Sequence, residues 1–158
     1  MEIEARLEQL GLTLPDAPTP VGAYLLTRQS GDLLFLSGTT CYTAGGLLYR
    51  GRIGSELNLE QGYEASRQTM LNLLGVVKAV LGDLDRVDCV IKVNGYVNST
   101  VDFDRQPEVI NGASDLLVQL YGERGRHART SIGVNILPNN IPVEIEMVLQ
   151  VRSGPAGG

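Results

Sequence analysis

A helical repeat of apolar positions is the strongest pattern in the chain, and it covers residues 58–82. Asn58 and Gln61 have the spacing of a capping box, and Gly82 suits the position just after a helix. The repeat predicts one long helix whose inward side carries Tyr63, Ser66, Met70, Leu73, Leu74, Val77 and Leu81.

Two shorter helices are predicted on either side of it. EIEARLEQLG, residues 2–11, places its apolar residues on one side and can end at Gly11. The following TLPDAPTPVG is rich in proline and reads as an extended connector. The other helix runs from about Pro107, a favourable first position, to Gly122.

Alternating patterns predict the strands. YLLTRQ and DLLFLSG, on either side of Ser30 and Gly31, form a β-hairpin, and the glycine-rich GLLYRGRIG is a weaker strand. VDCVIKVNGYVN, residues 87–98, is a further strand. We expect its buried face to be Val87, Cys89, Ile91, Val93 and Val97, and its other face to be Asp88, Lys92, Asn94, Tyr96 and Asn98.

The segment HARTSIGVNILPNNIPVEIE, residues 127–146, predicts a second hairpin. A turn at Asn139 and Asn140 pairs Asn135 with Glu144 and Arg129 with Gln150, so the polar faces coincide. Helices would then cover the apolar face, which carries Ala128, Thr130, Ile132, Val134 and Ile136 on the first strand and Val143, Ile145, Met147, Leu149 and Val151 on the second.

The resulting order, β-β-(β)-α-β-α-β-β, predicts an α+β fold with a mixed sheet and two helices on one face. We divide the chain into an N-terminal helix and connector (1–18), a single domain (19–153) and a flexible tail (154–158). The second sheet face is either simply wet or packed against another subunit, with a pocket at the seam. Several residues assigned to it are poor choices for a solvated surface, namely Gly133, Val148, Leu33, Phe35 and Ser37.

Composition narrows the class of protein. A chain of 158 residues with 43% hydrophobic content suits one domain with a proper core. It has no long apolar run and no signal-like start, so we expect no membrane association and a cytoplasmic location. A net charge of −5 without a block of Lys and Arg argues against a nucleic-acid surface.

Common catalytic and metal-binding motifs are absent from the sequence. A single histidine excludes a multi-histidine metal site, so no metal or cofactor is predicted. Cys41 and Cys89 lack metal-like or redox spacing and are expected to be free thiols. His127 could pair with either cysteine as a nucleophile, but no spacing supports that pairing.

RTSIGVNILPNNIPVEIE resembles the C-terminal signature of the YjgF family, also called RidA, the reactive-intermediate deaminases. VGAY (21–24), LFLSG (34–38), Asp102-Phe103 and VINGAS (109–114) match further family segments in order. The resemblance covers about residues 19–152. The N-terminal helix and the segments HAR and GVNILP resemble those of a family branch described as chorismate-mutase-like.

The resemblance implies a homotrimer with small-molecule clefts between subunits. It implies that Arg129 binds a carboxylate and that Glu144 is the functional glutamate. Arg129 and Glu144 are thus the implied catalytic residues. Ser131 replaces the cysteine of deaminases, and Ala23 and His127 replace prolines, which leaves the exact substrate open. The implied substrate-binding residues are Tyr24, Ser37, Gly38, Asn111 and Ser131.

Each of these residues also has a structural interpretation. Arg129 could be an interface salt bridge, and Glu144 a hydrogen-bonding strand residue. Tyr24 and Ser37 could simply pack or cap a strand, and Asn111 could pack a helix on the sheet. The functional interpretation has a chemical basis, since arginine matches a carboxylate bidentately and a glutamate can position water for attack on an imine.

The expected function is hydrolysis of reactive enamines or imines to 2-oxo acids and ammonia. The alternative is a non-catalytic protein that binds a small carboxylate. Chorismate mutase is less favoured because it needs several positive groups, and endoribonuclease because the chain is acidic with one histidine. The hairpin register separates Arg129 and Glu144 by roughly 20 Å, which predicts that two subunits share the site.

Overall fold

The computed structural model describes residues 1–152, and the predicted tail at 154–158 lies outside them. The structure has the helices α1 (Glu2–Gln9), α2 (Leu59–Leu81) and α3 (Gln106–Tyr121). Its strands are β1 (Thr27–Ser30), β2 (Leu33–Thr39), β3 (Tyr42–Thr43), β4 (Gly46–Leu47), β5 (Val87–Asn98), β6 (Ala128–Val134) and β7 (Val143–Val151). None of the helices within residues 1–152 has the length and apolar character needed to cross a membrane.

One five-stranded sheet, in the order β1-β2-β7-β5-β6, forms the centre of the domain. The β5–β6 pair is parallel and the other pairs are antiparallel, so the sheet is mixed as predicted. The weak strand is instead the short β3–β4 hairpin followed by an isolated bridge at Ile53. Helices α2 and α3 pack on one face of the sheet, which confirms the predicted α+β arrangement.

The helix boundaries follow local chemistry. Asn58 and Gln61 form the predicted reciprocal capping box, and Gly82 ends α2 in the left-handed conformation. Ile3 and Leu7 of α1 are buried in the main core, and Glu4 accepts hydrogen bonds from Lys78 and from the Leu84 N–H. The N-terminal helix is therefore part of the domain core rather than an appendage to it.

The predicted hairpin of residues 127–146 is wrong. β6 and β7 do not pair, because β5 lies between them and β6 runs parallel to β5 at the sheet edge. Helix α3 connects β5 to β6, and such a crossover places consecutive strands parallel. In the observed register Arg129 is beside Val93, and Glu144 is beside Tyr96.

The predicted faces of β6 are also reversed. Arg129 lies beside the buried Val93, and Gly133 beside the buried Val97, so both point toward the helices. Ile132 points to the opposite face and is 45% exposed. The reversal is possible because α3 offers polar side chains at this edge of the sheet, where the sequence pattern alone suggested an apolar surface.

Strand β5 departs from simple alternation. Register shifts between Val87 and Cys89, and again between Val90 and Lys92, mark irregular pairing with β7. Val90 is buried as a result, whereas Cys89 is only partly buried and Ile91 is 39% exposed. The prediction that Cys89 and Ile91 face the core is wrong, because each bulge shifts the alternation by one residue.

The connector between α1 and β1 crosses α2 at Gly75. A Cβ atom at this position would lie 2.2 Å from the Pro15 carbonyl oxygen, a distance that no side chain can occupy. A glycine on α2 thus allows the connector to lie directly on the helix. This path carries the next residues of the connector toward the end of β2.

Candidate functional site

Glu144 lies on the sheet face opposite the helices and is half-buried. Its carboxylate lies against the backbone of β2, since a Cβ atom on Gly38 would lie 3.0 Å from Glu144 Oε1. Asn94 and Tyr96 both donate hydrogen bonds to the neighbouring Glu146 at 3.0 Å. No hydrogen bond within residues 1–152 uses the Glu144 carboxylate, which leaves it available to a ligand.

Burial raises the pKa of Glu144, and the negative charge of Glu146 raises it further. A carboxyl group with a raised pKa exchanges its proton nearer to neutral pH than an ordinary glutamate does. This property suits a residue that shuttles protons or orients water.

Ser37 fixes the connector beside Glu144. Its hydroxyl donates to the Leu25 carbonyl at 2.6 Å, and its N–H donates to the Leu26 carbonyl at 2.9 Å. Tyr24, the residue before Leu25, is 48% exposed. The structure thus brings Tyr24, Ser37, Gly38 and Glu144 to one place, where they line a cavity of about 560 Å³.

Arg129 occupies a different place, between β6 and α3. Its Nη1 atom donates to Asn111 Oδ1 at 2.9 Å and to Ser114 Oγ at 3.1 Å. These bonds use both hydrogens of Nη1 and leave the Nη2 and Nε edge for a carboxylate. Burial lowers the pKa of Arg129 against the opposing effect of Asp115, and the guanidinium stays charged because its ordinary pKa is so high.

His127 sets the direction of this hydrogen-bond network. Its Nδ1 lies 2.7 Å from the Gly125 carbonyl, which can only accept, so Nδ1 carries the proton. In neutral His127, Nε2 then accepts the Ser114 hydroxyl at 2.9 Å. Burial lowers the pKa of His127; the Gly125 carbonyl opposes this, and the charge of Arg129 adds to it. Ser114 is thereby left with lone pairs for Arg129.

The cysteine pairing of His127 considered from the sequence does not form. Cys41 is buried beside Thr40 and the Tyr49 carbonyl, and Cys89 lies near Gln150. Both are free thiols, as predicted.

Ser131 lies two residues beyond Arg129 on the same face of β6. Its hydroxyl is shielded from solvent and has no hydrogen-bond partner within residues 1–152. An unpaired buried hydroxyl costs about 1–3 kcal/mol, so Ser131 gains from any ligand or chain that reaches it. Asn111 holds Arg129, and Ser131 is beside it, so these two predicted residues group with Arg129.

The two groups cannot meet within one chain. Glu144 is beside Tyr96, whose partner on β6 is Ile132, three residues from Arg129. About 10 Å along the strands and two spacings of about 4.8 Å across them separate the Cα atoms by roughly 14 Å. The side chains also point to opposite faces of the sheet. The separation is smaller than the roughly 20 Å predicted from the hairpin, and the intervening β5 causes it, but the two residues still cannot share one small substrate within a chain.

Sequence reasoning missed Ser114 as part of the Arg129 group and gave His127 no role there. One signal was available, because Ser114 follows Asn111 by three residues and so shares its face of α3. The contact with His127 depends on how α3 returns to β6, which no local pattern reveals.

A mixed five-stranded sheet with two helices on one face places the protein in the α+β class of folds. The chain belongs to the family described as "YjgF/chorismate mutase-like, putative endoribonuclease", whose model matches residues 4–149. This membership confirms the resemblance seen in the sequence.

Several individual proteins are similar over nearly the whole chain. Protein TCP17 of Trypanosoma cruzi is 38% identical, covering 96% of this chain and 95% of its own. The crystal structure of Atu1372 from Agrobacterium tumefaciens, a protein of unknown function, is 39% identical with a TM-score of 0.88, covering 95% of this chain and 92% of its own.

More distant relatives carry a functional name. A 2-iminobutanoate/2-iminopropanoate deaminase of Dermatophagoides farinae is 27% identical, covering 89% of this chain and 95% of its own. The crystal structure of RidA from Psychrobacter sp. PAMC 21119 is 25% identical with a TM-score of 0.59, covering 86% of this chain and 94% of its own.

Proposed function

We propose that the protein is a homotrimeric deaminase that hydrolyses 2-imino acids, and the enamines that give rise to them, to 2-oxo acids and ammonia. The observation that carries this proposal is the division of the site into two incomplete parts. Arg129 has an open carboxylate-binding edge in a hollow bordered by Asp115 and His127, whereas Glu144, the half-buried glutamate with the raised pKa, lies elsewhere. Glu144 lies at a cavity with no cation among its described lining residues. The two parts complement each other when they come from neighbouring subunits.

The proposed chemistry assigns one role to each part. The Nη2 and Nε edge of Arg129 binds the substrate carboxylate through two parallel hydrogen bonds. Glu144 orients a water molecule that adds to the imine carbon, and it takes up and returns a proton as the carbinolamine forms. The C–N bond then breaks, ammonia leaves, and the 2-oxo acid remains. Binding and orientation supply much of the rate, since the substrate is already reactive.

The exposed surface supports the assembly. The sheet face opposite the helices carries Phe35, 44% exposed, and Ile132, 45% exposed. Val21 and Leu25 of the connector are 94% and 57% exposed near the Glu144 cavity. Phe35 on β2 and Ile132 on β6 are three strands apart, so a chain that covered both would cross this face and shield apolar surface from water.

The assay is ammonia release from freshly generated 2-aminoacrylate, with Glu144→Gln as the test variant. We expect this variant to lose about 100-fold or more in kcat, the range for removing a general acid-base group. Glu8→Gln is the control, because Glu8 is an exposed glutamate of α1, away from the sheet. Binding of pyruvate without turnover of any imine by the wild-type protein would instead favour the non-catalytic carboxylate-binding protein.

A further inference from the structure

The cavity beside Glu144 extends well beyond the residues that the proposed chemistry uses. Its far wall includes Leu73 and Val76 of α2 and Ile141 of the loop before β7. These side chains are 1%, 3% and 5% exposed, so this end of the cavity is apolar and closely packed. Tyr24 and Val21, which are exposed, form the mouth. Tyr24 and Val21 belong to the connector that crosses α2 at Gly75, so the connector forms this side of the cavity.

The polar groups at the apolar end are already satisfied by the protein. Thr40 is 3% exposed, and its hydroxyl donates to the Val143 carbonyl at 2.6 Å. The Thr40 carbonyl accepts a hydrogen bond from Asn72 at 2.7 Å. A polar ligand group placed there would lose water without gaining a partner, whereas an apolar group loses nothing.

Charge fixes the orientation of a ligand. Among the described residues that line the cavity, Glu144 alone carries a formal charge, and it lies beside Gly38 rather than at the apolar end. A carboxylate has no partner at the apolar end and must stay outside, toward the position proposed for Arg129 of a neighbouring subunit. The remainder of the ligand then points inward.

The size of the cavity also matters. A volume of about 560 Å³ is within the range of pockets that enclose drug-sized molecules. A three-carbon acid such as pyruvate or 2-aminoacrylate would occupy a small part of it. The apolar end would be left without contacts, and the binding energy that it offers would go unused.

We infer that this cavity is a side-chain pocket, and that the preferred ligands are 2-imino and 2-oxo acids with a branched or aromatic side chain. The inference rests on the proposed function for the position of the carboxylate. It assigns Leu73, Val76 and Leu26 as residues that determine specificity, because they line the pocket without belonging to the proposed reaction centre.

The first test is calorimetric titration of the wild-type protein with pyruvate, 4-methyl-2-oxopentanoate and phenylpyruvate. We expect at least one of the two larger acids to bind about 10- to 100-fold more tightly than pyruvate, from the burial of several additional carbon atoms. Equal or weaker binding of both larger acids would overturn the inference.

The second test fills the pocket with Val76→Phe. This variant should remove the preference for large acids while pyruvate binding remains. Val80→Phe is the matched control, one turn further along α2 on a side chain that is 49% exposed. If Val76→Phe does not fold, as judged by thermal melting, Leu26→Phe fills the same pocket from the connector. An unchanged preference in a folded pocket variant would contradict the inference.

Turnover separates this inference from the proposed function. Imino acids are generated from alanine, leucine and phenylalanine by an amino-acid oxidase, and ammonia release is compared. Absence of hydrolysis for all three, together with tight binding of large 2-oxo acids, would sink the deaminase proposal and leave the pocket inference standing. Hydrolysis restricted to the alanine-derived imine would do the reverse.

Discussion

Arg129 illustrates how neighbouring side chains decide what a charged residue can do. Asn111 and Ser114 take both hydrogens of its Nη1 atom, and His127 in turn orients the Ser114 hydroxyl. The planar guanidinium is thereby held so that, among residues 1–152, no hydrogen bond uses its other edge, which is the edge a carboxylate needs. A lysine in its place would offer a charge without that geometry.

Removing one of these supports should weaken ligand binding without unfolding the protein. We expect Ser114→Ala to raise the Kd for a bound 2-oxo acid about 5- to 15-fold, the cost of one lost hydrogen bond in the support of Arg129. The measurement is calorimetric titration with the tightest-binding 2-oxo acid. Gln119→Ala, an exposed residue of the same helix that bonds Arg67, serves as control and should leave the Kd unchanged. An unaltered Kd in Ser114→Ala would show that Asn111 alone positions Arg129.

His127 should make stability fall as the solution becomes acidic. Its folded-state pKa is lowered by burial and by Arg129, against the Gly125 carbonyl, so the unfolded chain binds a proton more readily. The stabilising contribution is therefore present above the unfolded pKa near 6.5 and is lost as pH falls through the folded value. Asp115 and Arg126 border the same hollow. Urea unfolding at pH 7.5 and pH 5 should show a smaller loss of stability in His127→Gln than in the wild type; equal losses would contradict this role.

Individual site residues were accessible from the sequence to different extents. Arg129 and Glu144 stood out because charged residues inside apolar strands need a reason, and the family resemblance supplied one. The partners of Arg129 could not be derived in the same way, since contacts between α3 and β6 depend on the crossover that joins them. The Glu144 cavity was equally inaccessible, because Leu73 and Val76 look like ordinary core residues in a helical repeat.

Among the elements, local patterns predicted existence better than pairing. Capping residues and helical periodicity located α2 within a residue of its observed ends. The alternation in β6 and β7 correctly indicated two strands, but the short connecting segment NILPNNIP is equally compatible with a hairpin and with separate positions in a sheet. The choice depends on β5, which pairs with both β6 and β7, and on α3, which connects β5 to β6. Both are properties of the whole sheet that the local pattern does not contain.

The connector is the element on which the pocket depends, and Gly75 is the point where it can be tested. An alanine within a helix normally stabilises relative to glycine by about 1 kcal/mol. At Gly75 its Cβ would meet the Pro15 carbonyl, so we expect Gly75→Ala to destabilise by about 1–3 kcal/mol instead. Denaturant unfolding measures this change. Gly45→Ala is the control, because its added Cβ would contact only Thr43 at 3.8 Å. A more stable Gly75→Ala protein would show that the connector does not rest on α2.

The whole molecule exposes Phe35 and Ile132 on the sheet face opposite the helices and splits its candidate site in two, and we expect one assembly to account for both. A second chain that covers Phe35 and Ile132 would bring a different Arg129 toward Glu144. The prediction is a trimer by light scattering at micromolar concentration. A stable monomer would contradict this and favour a solvated sheet face.

A shared site makes a further demand on the assembly, which subunit mixing can test. Arg129→Ala and Glu144→Ala trimers should each be inactive, since every site lacks one member of the pair. Co-refolding the two variants produces mixed trimers in which some seams receive Arg129 from one chain and Glu144 from the next. Activity should therefore partly return, and it should return only in fractions that contain both chains, as verified by separable tags.

Arg129→Lys should complement poorly in the same experiment, because an ammonium group lacks the bidentate edge. If verified mixed trimers remain inactive, the two residues do not cooperate across a seam. Because β5 keeps them roughly 14 Å apart on opposite faces of one sheet, at least one of them would then have no part in the reaction.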